Sequence, residues 1–155
     1  MRKNIKTKVL RSVLLAKINE GGVTYCPSSG KDYAMSNNIA IAPFPERSQA
    51  FEGKATRRMV SFYFRKNKDL FSKNLSFGAW YDKVSSKTYF DVVSPVPLEK
   101  EKDAIALGKD ANQIAGFNLS DFSEIPLGGT GEYSPALVTP FMDRLSMALA
   151  LITNK

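Results

Sequence analysis

The chain has 155 residues, 43% hydrophobic and 11% aromatic, with 22 Lys+Arg against 15 Asp+Glu for a formal net charge of +7. That composition argues against disorder and suits one domain with a substantial core. Histidine is absent and Cys26 is the single cysteine, which removes Ser-His-Asp and Cys-His catalysis, histidine-ligated metals, disulfide frameworks and multi-cysteine zinc sites.

Only hard oxygen ligands remain, and these suit magnesium or calcium rather than a tightly held transition metal. No cofactor is implied, and a non-enzymatic role is favoured. Charge is uneven along the chain: residues 1–74 hold 15 Lys+Arg against 5 Asp+Glu, and residues 75–155 hold 7 against 10. A basic half of this kind fits a polyanion or an acidic protein surface, and it also serves plain solubility. The N-terminus begins with basic residues, but Arg11 and Lys17 interrupt its apolar stretch, so it is not read as a signal peptide. No run approaches the roughly 18 apolar residues of a membrane span. A cytoplasmic protein without membrane partners is expected.

In chain order, residues 3–19 are predicted to be helical, stopped by Gly21 and Gly22. Val23–Tyr25 begins a strand, Pro27–Gly30 is turn chemistry, and Asn38–Phe44 is a second, proline-ended strand. Residues 46–54 read as a polar connection. Thr56 is placed as the N-cap of a helix to about Phe71, with Met59, Val60, Tyr63, Phe64, Leu70 and Phe71 on its inner side. Ser76–Val93 is the centre of the chain: two aromatic-rich strands joined through a polar, glycine-free loop at Asp82–Lys87. Pro95 and Pro97 are expected to close it. A helix follows to about Ala111, with acids near its start. Gln113–Leu119 reads as the last strand, Pro126–Gly131 as a glycine-rich turn, and Thr139-Pro140 as the start of a final helix to about Ile152.

These elements predict one α+β domain over residues 1–155. It comprises a single mixed sheet of about five strands with helices mainly on one face, preceded by the helix of residues 1–20 and extended by residues 132–155. Trp80 is expected in the core, between the sheet and the helix of residues 56–71.

The segments GAWYDKVSSKTYFDVV, AIALGKDANQIAGFNL and EIPLGGTG, with GGVTYCPSSGKDY and IAIAPFPER before them, together resemble a small domain encoded by bacteriophages, prophages and conjugative elements. Its pattern is a Gly-x-Trp strand, a Tyr-x-Asp-Val strand, a helix ending in Asn-Gln and a Gly-Gly turn. Gly78, Trp80, Tyr89, Asp91, Asn112, Gln113, Gly128 and Gly129 match it, across residues 21–131. Phe90 and Val93 vary the expected strand, and Gly116-Phe117 stands where a bulkier pair is common. The resemblance implies a mobile-element origin and a bacterial host cell. It supplies no catalytic residue.

Each candidate site has an ordinary alternative. Asp82, Asp91 and Asp110 could hold a divalent metal or exchange protons, or could simply cap turns. Asn112-Gln113 could read a base edge, or form a helix C-cap with Asn112 left-handed. Leu127–Gly131 could cradle a phosphate, but lacks the lysine and immediate helix of a phosphate-binding loop. Trp80, with Phe77 and Tyr81, could stack bases or fill the core. Cys26 has no histidine to activate it. The strongest feature is a basic stripe: Lys54, Arg57, Arg58, Arg65 and Lys68 fall within roughly 100° on a helical wheel, and Asp69 is the only acid between residues 53 and 81.

The sequence thus points to a phage or mobile-element accessory protein that binds nucleic acid or an acidic host protein through that stripe, for instance to counteract host defence. A packaged or structural virion component and a histidine-free, carboxylate-dependent enzyme are the alternatives.

Overall fold

The computed structural model describes residues 12–153. A helix, α1, covers residues 12–20; the earlier part of the predicted N-terminal helix lies outside the described residues. Strands β1 (Gly22–Tyr25), β2 (Asn38–Ile41) and β3 (Gln49–Glu52) follow, then helices α2 (Arg57–Lys66) and α3 (Lys68–Phe71). The long hairpin of β4 (Ser76–Asp82) and β5 (Lys87–Pro97) leads into α4 (Glu101–Asp110), β6 (Ala115–Asn118), β7 (Glu124–Pro126) and α5 (Phe141–Thr153).

The architecture is α+β on one sheet, as the sequence predicts, but the sheet has seven strands in place of about five and is antiparallel in place of mixed. Its order is β1-β4-β5-β2-β6-β7, with β3 also paired to β5. β5 reaches more partners than expected because it continues through Pro95 and Pro97. The Leu98 amide donates to the Asn37 carbonyl at 3.1 Å, so at two-residue spacing Val96 and Ser94 are the residues that bond to β2. The prolines fall between them, where an N–H would point away from β2, and beyond the Ser76–Val93 pair that ends β4.

Alternation along the hairpin decides which side chains enter the core. Phe77 and Ala79 share a face with Phe90, Val92, Ser94 and Val96, and all six are buried. Tyr63 of α2 drops onto this face, with ring centroids 5.7 Å from Phe77 and 5.4 Å from Phe90, themselves 5.0 Å apart. α5 lies on the same face of β5, where the Ser94 hydroxyl donates to the Ala148 carbonyl at 3.4 Å. The opposite face is covered in part by a smaller cluster of Cys26, Tyr33 and Leu119 against Ala40.

Trp80 is a correction. It is 47% exposed, on the face away from α2. Its register partner is Tyr89, in the outward row of β5, and the two rings stack at 4.9 Å and 16°.

The helix predicted from residue 56 to 71 is also divided. Thr56 does cap its start, its hydroxyl accepting from the Met59 amide at 3.3 Å. The helix breaks at Asn67 (φ −110°, ψ 23°), whose buried carboxamide donates to the Tyr63 carbonyl at 3.0 Å and accepts from Arg47 at 2.9 Å. The Thr139 hydroxyl, predicted to cap α5, is buried without a partner. That end is held instead by Arg144, which is 2% exposed. Arg144 meets Glu46 in a bidentate pair at 2.6 and 2.7 Å and donates to the carbonyls of Pro43 and Thr139 at 2.6 and 2.9 Å. Burial alone would raise the Glu46 carboxyl, but the Arg144 guanidinium holds it below its usual range.

The two rows of the hairpin should respond differently to truncation. Phe90→Ala should cost about 3–5 kcal/mol in denaturant unfolding, whereas Trp80→Ala, which loses one surface cross-strand pair, should cost about 1 kcal/mol or less. Equal losses would show that Trp80 is packed in the core.

Candidate functional site

Of the five basic residues singled out from the sequence, Arg57, Arg58 and Arg65 lie on α2, Lys54 precedes its cap, and Lys68 follows the break in α3. All five are exposed. The single continuous stripe is therefore shorter than predicted, because Asn67 interrupts the helix between Arg65 and Lys68. α2 adds two residues that the stripe omitted. Lys66 is exposed, and Phe62, 55% exposed, stands among the cations. Arg58, Phe62 and Lys66 recur at i, i+4, i+8, with Arg65 beside them. Val60, Tyr63 and Asn67 are buried on the other side of the helical axis. A wheel drawn through α2 alone would have found Phe62, since it falls outside the apolar arc.

The face is electrostatically unbalanced. Asp69 is taken by Arg47, in a bidentate pair at 3.1 and 2.8 Å; the Arg47 guanidinium holds the Asp69 carboxyl below the usual carboxylate range. Among the described residues, none of Lys54, Arg57, Arg58, Arg65, Lys66 or Lys68 makes an ion pair. The positive field of this helix face is therefore directed to solvent.

The remaining candidates have internal employment. Asn112 adopts the left-handed conformation (φ 55°) expected of a helix C-cap. Its amide oxygen accepts from the Thr130 amide at 3.0 Å, and its amide nitrogen donates to Thr130 Oγ1 at 2.6 Å and to the Glu132 carbonyl at 3.1 Å. The Gly131 and Gly129 amides donate to the carbonyls of Asn112 and Gln113 at 2.8 and 3.0 Å. Gln113 Oε1 accepts from the Ala42 amide at 3.1 Å. A side chain at Gly129 would collide with the backbone of Asn112. The glycine loop is thus clasped by Asn112-Gln113, and the amides that a phosphate would need at Gly129, Thr130 and Gly131 are already donated.

Gly78 stands opposite Asp91, and a Cβ there would strike Val93. Asp82 closes its own turn, accepting from the Val84 amide at 3.0 Å and the Ser85 hydroxyl at 2.8 Å. Asp91 accepts from the Ser48 hydroxyl. Among the described residues, no three acidic or cysteine side chains gather as a metal site. Trp80 and Tyr89 do form an open aromatic ridge, but register puts Asp82 and Glu52 beside Lys87 in the row on one side and Asp91 in the row on the other. Phosphates would meet carboxylates there.

No family model, curated protein or solved structure matches the chain. Among the described residues no helix is long and apolar enough to cross a membrane.

Burial pushes the Asp91 carboxyl above its ordinary range, and the Ser48 hydrogen bond offsets only part of this. The folded state therefore holds this proton more tightly than the unfolded chain does. The contribution of Asp91 to stability is complete below its unfolded pKa of about 3.9 and is lost as pH rises through the raised folded value. Asp91→Asn should accordingly stabilise the protein at neutral pH in thermal melts, with the advantage shrinking toward zero as the pH falls to about 4. A gain that persists or grows on acidification would contradict the assigned shift.

Proposed function

We propose that the chain is an accessory protein of a bacteriophage or related mobile element, working in the cytoplasm of a bacterial cell, and that it binds nucleic acid through the solvent face of α2. One observation carries the reading: six exposed cations in residues 54–68 without an ion pair among the described residues, the segment itself holding no acid and the adjoining Asp69 being held by Arg47. The mobile-element setting is supported by the resemblance at Gly78, Trp80, Tyr89, Asp91, Asn112 and Gln113. Gly78, Asp91, Asn112 and Gln113 maintain sheet and loop geometry, and the Trp80–Tyr89 ridge is flanked by carboxylates, which leaves the basic face as the surface that suits a polyanion. Phosphate contacts position a protein without reading sequence, so sequence preference should be weak.

Binding through released counterions has a quantitative signature. Replacing Arg58 and Arg65 together with alanine should flatten the plot of log affinity against log salt by about 1.4–1.8 units, the two contacts counted at single-strand and duplex values. Far-ultraviolet circular dichroism should stay unchanged. A slope that does not move would detach α2 from nucleic acid. No binding by the folded wild type at about 50 mM salt, where electrostatic affinity is strongest, would reject nucleic acid and leave an acidic protein surface as the partner.

A further inference from the structure

Resting on that reading, the geometry points to a narrower ligand class: we infer that the α2 surface is built for single-stranded nucleic acid, with Phe62 stacking an unpaired base between phosphates held by Arg58, Arg65 and Lys66. Phe62 is 55% exposed on a helix whose other aromatic rings, Tyr63 and Phe64, turn toward Phe71 and Phe77. Among the described residues its ring has no aromatic partner. It is flanked by cations one turn before and one turn after, about 6 Å away along the axis in each direction.

This pairing of an open π-face with flanking charge matters only to a strand whose bases are free. In a duplex the base faces are already stacked, so an aromatic ring adds nothing to phosphate contacts. On a single strand every base offers a π-face, and aromatic stacking combines with a cationic groove regardless of sequence. The other open aromatic surface, Trp80 on Tyr89, lies on the opposite face of the sheet, where Glu52 and Asp82 flank Lys87 in the neighbouring row, so a phosphate backbone meets no excess of positive charge. An anionic membrane is less well matched: the apolar side of α2 is turned to the sheet, and one ring does not make the continuous apolar face that inserts at a lipid surface.

The test is fluorescence anisotropy with a labelled oligothymidine and a duplex of equal length, alongside sedimentation with phosphatidylserine vesicles, using the full chain and its Phe62→Ala and Phe62→Trp variants. Single-strand affinity should exceed duplex affinity. Phe62→Ala should weaken single-strand binding by about 5- to 140-fold, the usual worth of one base–aromatic stack, and leave duplex binding and the circular dichroism spectrum as they were. Phe62→Trp should keep or improve single-strand binding. If Phe62→Ala leaves single-strand affinity unchanged, or weakens single strand and duplex alike, while salt-dependent binding persists, the stacking inference falls and the basic-face reading stands. If the folded wild type binds neither nucleic acid, both fall. Vesicle binding lost in Phe62→Ala, without oligonucleotide binding, would replace both with a lipid surface.

Discussion

Three rings hold the molecule in the orientation on which its surfaces depend: Phe77 of β4, Phe90 of β5 and Tyr63 of α2, at mutual centroid distances of 5.0 to 5.7 Å. Such pairs contribute roughly 0.5–1.5 kcal/mol each beyond the area they bury, but their larger effect is on parity. A strand offers alternate residues to opposite faces, so once Phe77 and Phe90 face the helix, Trp80 and Tyr89 must face away. Likewise, once Tyr63 and Val60 meet the sheet, Arg58, Phe62 and Arg65 must face solvent. Tyr63 ties this arrangement to the loop before β3, its hydroxyl donating to the Arg47 carbonyl at 2.8 Å. Arg47 in turn captures Asp69. The core contact and the neutralisation of Asp69, the only acid between residues 53 and 81, are thus neighbouring steps of one network, and the unpaired cations outside follow from the packing inside.

Some of this was legible in the sequence. The hairpin could be read from its density of aromatic and β-branched residues, α2 from its cap and apolar arc, and the final helix from its stripe. The parity of β4 was not legible, because SFGAWYD carries aromatics in both rows: Phe77 and Tyr81 in one, Trp80 in the other. Composition favours a buried tryptophan, whereas pairing with Tyr89 and Gly22 put it outside. β3 escaped notice because Gln49–Glu52 is only four residues long and half polar, and its status comes from pairing with β5. Pro95 and Pro97 read as stops, yet they sit at the positions of β5 where no donor to β2 is required.

The candidate surface was partly legible for the same reasons. Net charge and the scarcity of acids between residues 53 and 81 singled out five cations, and all five are exposed. The break at Asn67 could not be read from the wheel, since Asn67 is tied there by a tertiary bond from Arg47 as well as a local one to Tyr63. Nor could a local pattern reveal that Asn112-Gln113 and the glycine loop, separate motifs in the sequence, form one clasp.

The most direct measurement of the central claim is an NMR titration of the isotope-labelled protein with a short oligothymidine. Amide shifts should move in residues 57–66 and stay fixed at Trp80 and Tyr89, whose side chains lie on the far side of the sheet. Perturbations centred on Trp80 and Tyr89, with α2 unmoved, would contradict it.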